Sequence, residues 1–180
     1  MKVINLFAGP GAGKSTTAAG LFHLMKLKRM KVELVTEYAK DMTWEKRHNI
    51  LSDQLYMFAK QHRRVHRLIG EVDFVVTDSP LLLPLVYRRD DYPPTFDGMV
   101  LDFWNRYENV NFVLERFKPY MAVGRSQSER EARAVDVAIR ELLERHDVPH
   151  EVVVGDAKAP AKILQSLKKR ARRRRSGGRE

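Results

Sequence analysis

The chain has 180 residues, 43% of them hydrophobic and 31% charged, a balance that suits one compact domain and argues against extended disorder. It has no cysteine, which excludes disulfides and thiolate metal sites, and no apolar run approaches the roughly 20 residues that cross a membrane. The net charge is +10, and residues 168–180 alone contain eight basic residues and one acidic residue. We therefore expect a cytoplasmic protein with one domain over residues 1–167 and a basic, disordered tail over 168–180.

The first predicted strand, 2–7, leads directly into a glycine-rich loop and a predicted helix over 13–29. Residues 8–15 fit the phosphate-binding P-loop pattern, with alanine in the first glycine position. Glycines let backbone N–H groups point at phosphate oxygens, and the helix N-terminus adds positive potential. The loop predicts binding of ATP with Mg²⁺, with Lys14 on the β- and γ-phosphates and Ser15 on the metal. The residues predicted to hold the nucleotide are Gly9, Pro10, Gly11, Ala12, Gly13, Lys14, Ser15 and Thr16.

The second predicted strand, 31–36, is followed by two acidic residues, Glu37 and Asp41. Ligands of a parallel sheet bind beyond the carboxyl ends of its strands, so Glu37 would face the same crevice as Lys14. Phosphoryl transfer to a hydroxyl calls for a base near that hydroxyl. Glu37 is the preferred candidate, and Asp41, about one helical turn further on, is the alternative.

The longest predicted helix, 49–69, combines an apolar stripe with a basic outer surface. The stripe comprises Leu51, Leu55, Phe58, His62, Val65 and Ile69. The basic surface is a candidate contact for nucleic acid, with an ordinary solvated helix face as the alternative. Gln54 is a candidate hydrogen-bond partner for a base edge. Trp44, Phe103 and Trp104 are candidates for stacking a base, although we expect them to pack in the core.

The third predicted strand, 74–77, ends at Asp78, where a Walker B carboxylate lies close to Mg²⁺ through a water molecule. No acidic residue follows Asp78 to activate a hydrolytic water, which favours a kinase over an AAA-type motor. The chain also lacks the Asn-Lys-x-Asp segment with which GTPases recognise guanine. We therefore predict roles for Asp78 in metal binding and in catalysis. Whether Glu37 or Asp78 is the base is left open.

The remaining elements complete an alternating pattern. Helices are predicted at 81–88 and 95–107 around a turn at 90–94, then a strand at 111–114, a helix at 126–146, a strand at 151–154 and a helix at 159–169. The segment 114–127 is a predicted lid, in which Arg116 and Arg125 are candidate catalytic arginines, or else solvated arginines at a helix start. The pattern predicts a three-layer α/β/α P-loop NTPase fold with a parallel sheet of about five strands.

Four segments together resemble one enzyme group. They are the Ala-Gly-Pro-Gly-Ala-Gly-Lys-Ser loop, the Thr-Glu-Tyr-Ala-Lys segment from Thr36, Thr77-Asp78-Ser79-Pro80, and Arg116 with Tyr120 and Gly124-Arg125-x-Gln127. They resemble small P-loop kinases of the nucleoside and nicotinamide riboside kinase type. The likeness is greater still to phage-encoded kinases that act on 5-hydroxymethyluracil within DNA during thymine hypermodification. This resemblance implies Lys14 and Ser15 on ATP–Mg²⁺, Glu37 or Asp78 at the hydroxymethyl group, and Arg116 and Arg125 in the lid.

The first expectation is therefore an ATP-dependent DNA kinase, in the host cytoplasm if phage-encoded, with DNA held by the tail residues 168–175 and the helix 49–69. A kinase of free nucleosides or nucleoside monophosphates is the alternative. An ATP-gated nucleic-acid-binding NTPase is the third hypothesis. The three differ in whether a phosphorylated acceptor forms and in whether that acceptor is polymeric.

Overall fold

A computed structural model of the chain describes residues 1–117, 119–121 and 128–176, except for the side chains of 173–176. In this part of the chain five parallel strands form one sheet in the order β2-β3-β1-β4-β5. The strands are β1 (Lys2–Phe7), β2 (Val32–Val35), β3 (Phe74–Thr77), β4 (Glu108–Glu115) and β5 (His150–Val154). The helices are α1 (Lys14–Leu27), α2 (Tyr38–Trp44), α3 (Gln54–His66), α4 (Pro84–Tyr87), α5 (Pro94–Asn105), α6 (Glu129–Arg145) and α7 (Ala159–Ser176). The predicted three-layer P-loop fold is confirmed.

Helices cover both faces of the sheet, and the alternation of side chains along the strands explains how. On β1, Ile4 and Leu6 point to one face, where they pack with Leu21 of α1 and Ile163 of α7. Phe7 points to the other face. It packs there with residues of α3, α5 and α6, among them Phe58, Trp104 and Ile139. Because both faces are apolar, the strands are nearly continuous hydrophobic runs, as the sequence predicted.

A short polar ladder crosses the sheet between β1 and β4. The Asn5 amide donates hydrogen bonds to the side-chain oxygens of Asn109 and Asn111, both at 3.0 Å. Asn111 in turn donates to the Pro149 carbonyl at 3.0 Å. Strand β4 spans Glu108–Glu115 and is longer than the predicted strand 111–114. Asn side chains usually favour turns, but here they have hydrogen-bond partners in the ladder and so are accommodated within the strand.

The segment after β2 differs from its prediction. Helix α2 begins directly at Tyr38, where no helix was expected, and α3 begins only at Gln54, because Asp53 caps it by accepting from the Tyr56 N–H at 2.9 Å. A 3₁₀ turn, His48–Ile50, precedes it. The predicted stripe is wrong at its ends, since Leu55 and Ile69 are both half exposed, at 51%. The buried side of α3 is instead made by Gln54, Met57, Phe58, Gln61 and Val65.

The last two helices also depart from the predicted bounds. Ser128 caps α6 in a reciprocal capping box with Glu131, so the helix begins at Glu129, three residues later than the predicted start at 126. Helix α7 continues to Ser176 through the segment predicted as a disordered tail. Lysine and arginine are good helix formers, and Glu151 of β5 accepts hydrogen bonds from Ser166 and Arg170 of this helix. Among the described residues no helix is both long and apolar enough to cross a membrane.

Candidate nucleotide-binding and phosphotransfer site

The P-loop connects β1 to α1 at the carboxyl edge of the sheet. Gly11 and Gly13 have positive φ angles of 80° and 97°, which turn the backbone around the space where phosphates bind. The Lys14 ammonium donates to the carbonyls of Ala8 at 2.6 Å and Gly9 at 3.1 Å, so it lies folded across the loop. Ser15 and Thr16, at the exposed start of α1, complete the predicted set.

A buried ion pair fixes the outer wall of the P-loop. Arg116, at the end of β4, donates to the Asp136 carboxylate of α6 at 2.8 and 3.1 Å and to the Pro10 carbonyl at 2.9 Å. Asp136 also accepts a hydrogen bond from the Gly9 N–H. The Arg116 side chain is only 8% exposed. We call this group of Gly9, Pro10, Arg116 and Asp136 the P-loop brace.

The brace requires glycine at position 9. A Cβ there would lie 2.2 Å from the Ala132 carbonyl oxygen of α6, far inside van der Waals contact. The close approach of α6 to the loop was not predicted, because Asp136 lies 127 residues from Gly9 and on a helix whose other acidic residues are mostly solvated. In the structure Arg116 contacts the loop wall, and its predicted catalytic role stays a prediction. Arg125 lies outside the described residues.

Asp78 lies at the end of β3 and is 2% exposed. Its Oδ1 is buried and accepts no hydrogen bond from the described part of the chain. A buried carboxylate oxygen without a protein donor beside a P-loop fits the water shell of a nucleotide-bound Mg²⁺. The Ser15 hydroxyl and Asp78 are therefore the residues that would hold the metal. When bound, Mg²⁺ supplies neutralisation of the charge on the phosphates.

Glu37 lies between β2 and α2 and is half-buried at the same edge of the sheet. Burial raises the pKa of Glu37 above the usual value of a glutamate, the charge of Lys14 lowers it, and Asp78 raises it. Burial also lowers the pKa of Lys14, against the attraction of Glu37 and Asp78. Lys14 and Glu37 line the same cleft, and Asp78 directly follows β3, the strand between β2 and β1. The structure thus brings the three residues to one edge of the sheet, as the sequence predicted.

Asp41, the alternative base, is engaged elsewhere. Its carboxylate pairs with Arg64 of α3, which also donates to the Thr36 carbonyl at 3.2 Å. Asp41 does not line the cleft described next. The arrangement favours Glu37 over Asp41 as the group that meets an acceptor hydroxyl.

A cleft of about 310 Å³ extends from the P-loop to α2, α3 and α4. Lys14, Ser15 and Glu37 line its inner end, and Trp44, Leu51 and Tyr87 line its outer end. Gln54 and Gln61 lie on its wall and are buried. Gln61 is a structural link, because its amide binds both the Tyr38 N–H at 3.1 Å and the Thr36 carbonyl at 3.3 Å.

Aromatic rings and cations surround the outer end of the cleft. Trp44 is 61% exposed there, contrary to the expectation that it packs in the core, because α2 is too short to place it under another element. Trp104 is buried as expected. The Tyr38 and Tyr56 hydroxyls share a hydrogen bond of 3.0 Å, and Lys60 lies 5.2 Å from the Tyr56 ring centroid. Flat aromatic faces beside cations suit a planar, electron-rich ligand.

Three features of the site define an ATP-dependent phosphotransferase that works with Mg²⁺. They are the P-loop, the buried Asp78 oxygen that accepts no hydrogen bond from the described residues, and Glu37, which lines the same cleft as Lys14. Residues 3–159 match a family described as an AAA domain, and the chain belongs to that family. Asp78 is nevertheless followed by Ser79, without the acidic residue that activates water in motor ATPases.

Two solved structures of an enzyme from M. mycoides have a similar fold. One is deoxyadenosine kinase with the products dCMP and a flexible dCDP bound; it is 18% identical, with a TM-score of 0.57 over 94% of this chain and 100% of that chain. The other is deoxyadenosine kinase with bound dATP, also 18% identical, with a TM-score of 0.54 and the same coverage. At this identity the likeness establishes the fold alone. No curated protein sequence matches the chain.

Proposed function

We propose that this protein is a kinase that transfers the γ-phosphoryl group of ATP to a hydroxyl of a small nucleoside-type acceptor. The observation that carries the proposal is the single cleft of about 310 Å³ that joins Lys14 and Ser15 at one end to Glu37 and an exposed tryptophan at the other. Its volume lies within the range for small-molecule sites, which suits an acceptor group of nucleoside size. A cytoplasmic location belongs to the same proposal.

The reaction follows from the placement of three side chains. The P-loop N–H groups and Lys14 hold the β- and γ-phosphates and stabilise the charge that spreads over the transferred group. The acceptor oxygen forms a bond to the γ-phosphorus while the bond to the β–γ bridging oxygen breaks, and ADP is the leaving group. The hydroxyl proton passes to the Glu37 carboxylate. Asp78 would act through the metal.

A nucleobase is the best fit for the outer end of the cleft. Trp44 presents an exposed ring at the cleft lining, and Gln54 lies buried on its wall with an amide that matches a base edge. Stacking of a base on an aromatic ring contributes about 1–3 kcal/mol without selecting a particular base. That the fold is shared with deoxyadenosine kinase supports the same acceptor class.

A second candidate acceptor is the hydroxymethyl group of 5-hydroxymethyluracil within DNA. The basic end of α7 favours it, because clustered arginines and lysines bind nucleic acid phosphates. The base would have to be flipped out of the duplex to reach Glu37.

The test supplies γ-labelled ATP and Mg²⁺ with free nucleosides, nucleoside monophosphates, unmodified DNA and hydroxymethyluracil-containing DNA. Lys14→Ala provides the inactive blank, and Lys2→Ala, at the opposite end of β1, is the matched lysine control. We expect label in at least one free nucleoside or monophosphate with the wild type and with Lys2→Ala. Label confined to the modified DNA would replace the first candidate with the second. Release of inorganic phosphate with no labelled acceptor in any arm would contradict both.

A further inference from the structure

Helices α1 and α7 lie side by side and both begin at the P-loop edge of the sheet. Each follows a strand of the parallel sheet, so each runs from the carboxyl edge towards the opposite edge. A Cβ on Gly20 would lie 2.8 Å from the Pro160 ring, which shows how closely the middle of α1 approaches the start of α7. Leu21 and Met25 of α1 pack in one cluster with Ile163 and Leu167 of α7.

Helix α7 extends well past the end of α1. Pro160 lies level with Gly20, and α1 ends seven residues later, at Leu27, whereas α7 continues for sixteen residues, to Ser176. At about 1.5 Å per residue, the last turns of α7 extend about 13 Å beyond α1. By the same rise, the end of α7 is about 30 Å from the level of Lys14.

The two helix ends are strongly basic. Lys26, Lys28, Arg29 and Lys31 are exposed, and no acidic residue lies between 26 and 31. Residues 168–176 add two lysines and five arginines, also without an acidic residue. We call these two segments, 26–31 and 168–176, the basic pole. Acidic residues that contact it include Glu151, which pairs with Arg170, and Asp73, whose N–H donates to the Lys31 carbonyl.

The Glu151 contact orients the pole rather than neutralising it. Although burial acts to raise the pKa of Glu151, hydrogen bonds from Ser166 and Arg170 lower it below the usual value, so this carboxylate stays ionised. It fixes α7 against β5 one turn before the arginine run. The α7 backbone beyond Arg170, which carries the arginine run, therefore has a defined direction.

We propose that the basic pole is a binding surface for double-stranded DNA, separate from the phosphotransfer cleft. An α-helix with its side chains is about 10–12 Å across and fits the major groove of B-DNA, which is about 12 Å wide. The major groove of A-form RNA is too deep and narrow for this contact. Helices that bind membrane surfaces bury several large apolar side chains, whereas residues 168–176 contain only Ala171 and the segment 26–31 exposes Leu27.

The position of the pole determines what it can do. By the same rise, the pole begins about 18 Å from the level of Lys14, at Lys26, and ends about 30 Å from it. These distances correspond to about five to nine base pairs of B-DNA, so the contacted phosphates lie several base pairs from any base in the cleft. The pole therefore tethers the enzyme to DNA and does not present an acceptor. The inference does not depend on which acceptor the cleft takes.

The experiment measures binding of a fluorescein-labelled 30-base-pair DNA by anisotropy, without ATP, between 50 and 200 mM salt. The pole variant is Lys168→Glu/Lys169→Glu/Arg172→Glu, and Lys26→Glu/Lys28→Glu/Arg29→Glu tests the α1 side. The matched control is Arg63→Glu/Arg67→Glu on and beside α3, the other predicted basic surface, at two exposed positions away from the cleft. Double-stranded RNA and phosphatidylserine vesicles serve as competing partners. Melting curves and turnover of a small acceptor verify that each variant is folded.

We expect a slope of log Kd against log salt of about 5, which corresponds to about six neutralised phosphates. The α7 variant should weaken DNA binding at least thirtyfold, the α1 variant about tenfold, and the control less than threefold, with small-acceptor turnover unchanged. Equal loss in the control and the pole variants, tighter binding of RNA or vesicles than of DNA, or unchanged DNA affinity in the α7 variant would overturn the proposal. None of these outcomes depends on phosphotransfer, so a failed kinase assay leaves the result interpretable.

Discussion

The two ends of the cleft are built on different principles. At the donor end, backbone groups of the P-loop do the binding, and the brace of Arg116 and Asp136 holds the loop through Gly9 and Pro10. At the acceptor end, side chains form the surface, and the large ring of Trp44 is left mostly exposed. A backbone loop held in place by the brace suits the triphosphate of ATP, which is the same in every reaction. A surface of side chains suits the base of the acceptor, which sets selectivity. Changes at one end should therefore affect one substrate and spare the other.

Removal of the Lys14 ammonium from the donor end of the cleft should have the largest effect on activity. Lys14→Ala should lower kcat/KM for ATP about a thousandfold, because Lys14 stabilises charge on the transferred group and removal of one such donor typically costs about 10²–10³. Steady-state kinetics with varied ATP measure the change. Lys2→Ala should behave as the wild type, and a Lys14→Ala enzyme within tenfold of the wild type would remove Lys14 from this role.

Glu37→Gln should lower kcat about a hundredfold, the lower range for loss of a general base. The base acts as the carboxylate, so wild-type activity should fall as the pH drops through the pKa of Glu37. Burial raises that pKa, so the acid limb should lie at higher pH than for an ordinary glutamate. The limb should be absent in Glu37→Gln.

Asp41→Asn provides the matched control for this experiment. Because Asp41 pairs with Arg64 away from the cleft, its substitution should leave kcat and the acid limb in place. A lost limb in Asp41→Asn, together with an intact one in Glu37→Gln, would assign the base to Asp41.

Asp136→Asn should separate bracing of the loop from chemistry. The amide still has an oxygen for the Gly9 N–H but leaves the Arg116 guanidinium without its charged partner. A bond between charged groups contributes about 1.5–3 kcal/mol, so KM for ATP should rise about tenfold while kcat and KM for the acceptor change less than threefold. Glu144→Gln, on the exposed side of α6, is the control. An unchanged KM for ATP would show that the brace does not act on donor binding.

Trp44→Ala should have the smallest effect on the kinetics, and this effect should concern the acceptor rather than ATP. Loss of one stacking ring should raise KM for a nucleoside about fivefold to tenfold and leave KM for ATP unchanged. Trp44→Phe should recover most of the difference. A rise in KM for ATP of the same size would mean that the two ends of the cleft are not separate.

The sheet and the donor end were predictable because their signals are local. Apolar runs identify buried strands, and the spacing of Gly13, Lys14 and Ser15 directly after a strand identifies the loop. The positions of Glu37 and Asp78 followed from the rule that parallel strands carry their ligands at one edge.

The P-loop brace and the part of the cleft wall formed by Gln54 and Gln61 were not predictable, because they depend on contacts between distant segments. Asp136 on α6 meets Gly9 only in the fold. Gln54 and Gln61 are buried on α3 although both are polar, since Leu51, Thr36 and Tyr38 provide the hydrogen-bond partners of their side chains. Sequence periodicity therefore placed Phe58 and Val65 correctly on the buried side of α3 but missed the two glutamines.

The central claim is that a hydroxyl acceptor, and not water, receives the phosphoryl group in the Glu37 cleft. The most direct test is the ratio of ADP formed to phosphorylated nucleoside formed, measured in one reaction by chromatography and mass spectrometry. We predict one ADP for each phosphorylated nucleoside, with ADP formation falling at least tenfold when the nucleoside is omitted. ADP that forms at the same rate with and without the nucleoside, matched by free phosphate, would contradict the claim and identify the protein as an NTPase.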